Sequence, residues 1–152
     1  MFRIYKNDEL IVEGESPLTI TGIEPDTQVV KGTYQAVRVE NEEESERVDI
    51  PAFKTLPIKV TSVTVAPKTN NLEVGATRQL NATIEPTNAT NQKVTYESDN
   101  EAIAKVNTTG LVTAIGEGTA IITVKTADGN HTDTATVNVT EPEPDPEPEP
   151  EE

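Results

Sequence analysis

From Val60 to Thr140 the chain alternates apolar and polar side chains in short runs. Val63 and Val65 flank Thr64; Leu80, Ala82 and Ile84 alternate with Asn81 and Thr83; Ala135, Val137 and Val139 alternate with Thr136 and Asn138. A period of two places every second side chain on one face, which predicts half-buried strands. The pattern recurs at Val94 and Tyr96, Ala104 and Val106, Val112 and Ala114, and Ala120, Ile122 and Val124, with Gly, Pro, Asn or Asp between the runs. Those residues are turn formers. About six or seven strands at this spacing predict an all-β fold, a β-sandwich over residues 58–140.

Residues 1–57 follow a separate pattern. Phe2-Arg3-Ile4-Tyr5, the turn Lys6-Asn7-Asp8-Glu9 and Leu10-Ile11-Val12 predict a β-hairpin. Further strands are expected at Leu18–Thr21, from Thr33 to Val39 and around Val48 to Phe53, with turns at Glu24-Pro25-Asp26 and through the acidic run Asn41 to Glu46. Val37 and Val39 have the opposite parity to Tyr34 and Ala36, so either a bulge intervenes or both faces of the strand are partly buried. A domain of this size with so few strands is marginal, and its sheet is expected to need cover from the neighbouring module, a second copy of the chain or a partner protein. Phe2, Ile4 and Tyr5 are the candidate partner-docking residues. The competing reading assigns them to the small domain's own core.

The motifs along 56–140 resemble the group 2 bacterial immunoglobulin-like (BIG2) domain. They are Val63-x-Val65-x-Pro67, Leu72-x-Val74-Gly75, Leu80-x-Ala82-x-Ile84-x-Pro86, Tyr96-x-Ser98, Ile103-Ala104-x-Val106, Gly110-x-Val112-x-Ala114 and Gly116-x-Gly118-x-Ala120. Tyr96 stands where that family usually carries Trp, which is expected to leave the core slightly less filled. The segment Leu18-x-Ile20-x-Gly22-Ile23-x-Pro25-x-Thr27, followed by Tyr34 and the Glu44-Ser45-Glu46 hairpin, resembles the latter part of a fibronectin type III domain. The strands that open such a domain have no counterpart before Phe2.

Composition changes the picture at the carboxyl end. Residues 141–152 read EPEPDPEPEPEE, with no apolar side chain. Such a segment has nothing to bury, and alternating proline with like charge favours an extended, disordered tail. The whole chain carries a formal charge of −15. With no cluster of Lys or Arg to neutralise phosphates, nucleic acid and anionic membrane surfaces are poor partners. No run is apolar and long enough for a membrane span, and Met1 leads into a strand-like segment without a secretion signal. There is no cysteine, so packing and ladder hydrogen bonds alone hold the fold.

Catalysis requires convergent groups, and few candidates are present. The single histidine, His131, lies in the turn-like Asp128-Gly129-Asn130-His131. Glu42-Glu43-Glu44 and Glu97-x-Asp99-x-Glu101 fall where exposed turns are expected, and the Gly-containing calcium loop is missing around the second group. The Asn-x-Thr triplets at Asn81, Asn88, Asn107, Asn130 and Asn138 are expected by chance in so Thr- and Asn-rich a chain. No cofactor, metal or catalytic residue is assigned. With no Trp and few other aromatics, any carbohydrate contact is expected to be weak and dependent on avidity, as toward bacterial surface glycan. The resemblances imply a non-enzymatic virion accessory protein of a tailed bacteriophage. The first domain would anchor to a capsid or tail protein and the second would be displayed, after assembly in the host cytoplasm. A bacterial surface adhesin or cell-wall-associated spacer is the alternative.

Overall fold

The structure, a computed structural model, describes residues 1–143, and the rest of the acidic tail lies outside the described residues. The backbone divides into two compact units at Ile58/Lys59. Among the described residues every regular element is a strand, as expected for an all-β chain.

The first unit contains β1 (Phe2–Lys6), β2 (Glu9–Gly14), β3 (Gln28–Val29), β4 (Gln35–Glu40), β5 (Glu43–Glu44), β6 (Val48–Asp49) and β7 (Phe53–Lys54). The predicted hairpin is β1–β2, turned by Asn7 and Asp8, both at positive φ (49° and 66°). That conformation matches the twist of the flanking strands, and Asn and Asp tolerate it. Strand order is β2-β1-β4, with β5 and β6 both on the far side of β4. Three expectations change. Leu18–Thr21 forms no strand. The last strand is broken into β6 and β7, with Pro51 in the gap, where a residue without an N–H cannot extend a ladder. The pairing of β3 with β7 was not anticipated.

These changes explain how so small a sheet closes. Leu18, Ile20 and Ile23, although outside regular strands, pack on the core of Ile4, Val29 and Tyr34 together with Ile50 and Phe53. Tyr34 and Phe53 stack tilted, 6.4 Å between ring centroids. Cover for the Ile4 face therefore comes from within the unit, not from outside as the strand count had suggested. The parity question resolves in favour of two partly buried faces. Ala36 pairs with Ile4 on the core face, and Val37 pairs with Arg3 on the other, where Val37 is 2% and Val39 6% exposed.

The second unit contains β8 (Ser62–Ala66), β9 (Thr69–Glu73), β10 (Thr77–Gln79), β11 (Asn81–Glu85), β12 (Val94–Ser98), β13 (Ala104–Val106), β14 (Leu111–Ala114), β15 (Gly118–Thr126) and β16 (Thr132–Thr140). One layer has the order β12-β15-β16-β9. In the other, β8 pairs with β11 and β10 pairs with β14, which pairs with β13. β10 and β11 are one strand interrupted at Leu80, so these ladders form a second four-stranded layer. Between the layers lies a continuous core that includes Val65, Leu80, Val112, Ile122, Val124 and Val137, each at most 2% exposed. The alternating residues singled out in the sequence supply most of it. The outward face over β9, β15 and β16 is lined mainly by Thr and Asn, including Thr69, Asn71, Thr119, Thr134, Thr136 and Asn138, with the exposed Ile121 opposite Thr136 among them.

Candidate functional site

Strand alternation separates the three candidate docking residues. Ile4 is 7% exposed and belongs to the core of the first unit. Phe2, on the same face, is half-buried and lines a shallow recess of about 200 Å³ with Ile4, Ser16, Leu18 and Ala36. Tyr5 points to the opposite face, because odd and even positions of a strand diverge. The three residues therefore do not converge on one surface.

Around Tyr5 the charges are organised. Its hydroxyl donates to Glu44 Oε1 at 2.5 Å, and Arg3 bonds both Glu44 (2.8 Å) and Glu13 (2.9 Å). The Arg47 guanidinium lies 4.4 Å from the Tyr5 ring centroid and also pairs with Asp8. Hydrogen bonds from Tyr5 and Arg3 hold the Glu44 carboxyl below the usual glutamate range, and the bond to Glu44 raises the Tyr5 hydroxyl. This network ties β1, β2 and β5 together across the face that buries Val37. The Arg3 stem, opposite Val37 in register, can cover apolar surface while its head stays wet. Each of these groups has a bonded partner within the first unit.

The remaining candidates also have structural partners. His131 Nε2 lies 3.0 Å from the Val60 carbonyl, and since a carbonyl only accepts, that nitrogen carries the proton. Asp128 accepts from the Val60 amide (3.1 Å) and from Lys59 (3.2 Å), and the amide bond lowers its pKa most. Buried Thr126 accepts from the His131 amide (3.0 Å) and donates to the Asp128 carbonyl (2.7 Å), closing the β15–β16 turn. Asp99 accepts from the Ile121 amide at 2.8 Å. Among the described residues no three His, Cys, Asp or Glu side chains are grouped as a metal site would require.

Two structural features escaped the sequence reading. β9 pairs in parallel with β16, and Asn70, 2% exposed, donates from Nδ2 to the carbonyls of Pro67 and Thr136, each at 3.2 Å. The only sequence signal was an unbroken Thr-Asn-Asn run, which reads equally well as a loop.

Fold and site together define an immunoglobulin-type β-sandwich preceded by a smaller β unit, with carboxylates and histidine used as strand ties. The sequence profile of the bacterial Ig-like domain (group 2) matches residues 59–137, and the chain belongs to that family. It is 53% identical over 77 residues to an Ig-like virion protein of Serratia phage KSP90, covering 50% of this chain and 30% of that protein. It is 41% identical over 76 residues to a kappa-carrageenase of Pseudoalteromonas carrageenovora, covering 50% of this chain and 19% of the enzyme. The solved S-layer protein rSbsC(31-844) superimposes with a TM-score of 0.54 at 17% identity, over 94% of this chain and 20% of that one, a likeness of fold alone. The chain thus spans less than a third of the length of these curated relatives.

Proposed function

We propose that this chain is a non-enzymatic accessory protein of a tailed-phage virion, anchored through its first unit to a capsid or tail protein and displaying its immunoglobulin-like unit outward. The observation that carries this reading is the 53% identity to a phage virion protein over 77 residues, half of this chain. A sandwich whose outward face is mostly Thr and Asn suits weak contact with hydroxylated bacterial surface glycan. Many copies on one particle turn such contacts into useful residence through effective concentration. For the anchor, the Phe2 recess can take one apolar side chain, and the excess of Asp and Glu over Lys and Arg in residues 1–57 favours a partner surface that is basic.

Immunogold labelling of purified particles tests the reading. Regularly spaced label on head or tail is the expected result, and particles without label overturn it. A second reading, a module appended to a carbohydrate-active enzyme, is favoured by the 41% identity to a carrageenase. It predicts a catalytic domain on the same polypeptide in the source cell, which an immunoblot for a much larger species would reveal.

A further inference from the structure

The second and the last strands of the second unit are bonded to each other in a way that suits bearing load, while the first, β8, pairs antiparallel with β11 in the other layer. β9, near the unit's amino end, and β16, at its carboxyl end, run parallel and in register from Thr69 opposite Thr136 to Glu73 opposite Thr140. A force between the two ends enters through β8, which is paired with β11, and once passed to the next strand pulls β9 toward its start and β16 toward its finish. In parallel strands those directions are opposed along one axis. The ladder is therefore sheared, and its evenly spaced bonds share the load. An antiparallel terminal pair would bring both ends to the same edge and open one bond at a time.

Side chains reinforce the same seam. Asp133, at the start of β16, accepts from the Val65 amide at 2.7 Å and pairs with Lys68. The Thr136 amide donates to the Lys68 carbonyl (2.8 Å) and the Val74 amide to the Thr140 carbonyl (3.0 Å). Asn138 Nδ2 donates to Asn71 Oδ1 at 2.9 Å. Asn70 is buried between the strands, and its amide bonds the Thr136 carbonyl. Burying an amide is costly unless it is bonded; here Nδ2 is bonded and links β9 to β16, whereas Oδ1 is buried without a partner among the described residues.

We propose that the second unit is a force-bearing link, with the β9–β16 ladder and the Asp133 and Asn70 ties as its mechanical clamp. In a displayed protein that holds a surface, tension between the attachment and the captured ligand would pass through this seam. That use rests on the virion reading, whereas the mechanical anisotropy does not.

Single-molecule pulling of the full chain by its ends tests the inference. Unfolding of the second unit is recognised by a contour gain on the order of 280 Å. There is no native cysteine, so cysteines placed at the exposed Thr69 and Thr95, on opposite edges of one sheet, give a second pulling direction that peels the ladder from one end. The expected result is a higher unfolding force end-to-end than edge-to-edge. Asn70→Leu is expected to raise the unfolding rate under end-to-end load about threefold, since removal of the buried, unpaired Oδ1 offsets part of the loss of the two Nδ2 bonds. Asp99→Ala removes a similar tie away from β9 and β16 and is expected to leave that rate unchanged. Equal forces in the two directions, or equal effects of the two substitutions, overturn the proposal. If Asn70→Leu does not fold, the comparison of directions in the otherwise unaltered chain decides. Unlabelled particles together with an anisotropic domain would remove the virion reading and leave the clamp standing.

Discussion

At the scale of single residues, the second unit is held by close contacts that the alternation alone does not reveal. Gly110 has φ +84°, and a Cβ there would lie 2.7 Å from the Leu80 carbonyl oxygen and 2.8 Å from Tyr96 Cζ. Gly110→Ala is therefore expected to destabilise the unit by about 2–4 kcal/mol, combining backbone strain with overpacking, as read from the urea midpoint. Leu80 is fully buried at the interruption between β10 and β11, and Leu80→Ala is expected to cost about 2–5 kcal/mol by the same measurement. Both positions belonged to motifs visible in the sequence. What made them irreplaceable, the approach of Gly110 to Leu80 and Tyr96 across the β10–β14 ladder, required the fold. Tyr96 fills its site with the ring partly buried and a backbone hydrogen bond to Ala82, and burial raises its pKa.

At the scale of elements, turns and ties decide how strands meet. The β4–β5 turn places Asn41 and Glu42 at positive φ (50° and 69°), a conformation that suits glycine better than glutamate. Glu42→Gly is expected to stabilise the first unit by about 0.5–1 kcal/mol in thermal or urea melts, since relief of strain exceeds glycine's entropic cost. In the second unit, Asp133 is held below the usual aspartate pKa chiefly by Lys68, and Asp128 chiefly by the Val60 amide. A depressed folded pKa gives stability that is complete above the unfolded value, about 3.9, and is lost as pH falls through the folded one. The urea midpoint should thus hold steady near neutrality and fall below about pH 4, and Asp133→Asn should flatten that acid limb while lowering the plateau. A midpoint that drops instead between pH 7 and 5 would count against this assignment. The β1–β2 and β15–β16 turns were legible because Asn, Asp and Gly are the residues such turns require. β3 and β9 were not, because β3 is only two residues long and β9 places Asn70 at an inward position, so neither shows an apolar alternation to separate it from loop.

At the scale of the whole molecule, each unit has its own hydrophobic cluster. Residues 59–143 made alone are expected to fold, with a urea midpoint equal to that of the same unit in the full chain. Tyr96, the unit's sole tyrosine, supplies the fluorescence readout in the fragment, and a large downward shift would show that the units depend on each other. The sequence by itself determined the all-β class and the inward set of side chains in the sandwich, because a period of two is a local property. Only the tertiary structure decided that the small sheet is covered by its own irregular segment, that Phe2 and Tyr5 face apart, and that β9 lies parallel to β16. Those outcomes depend on which distant segments meet, and the physical reason is that side-chain parity fixes a strand's buried face without naming the strand beside it.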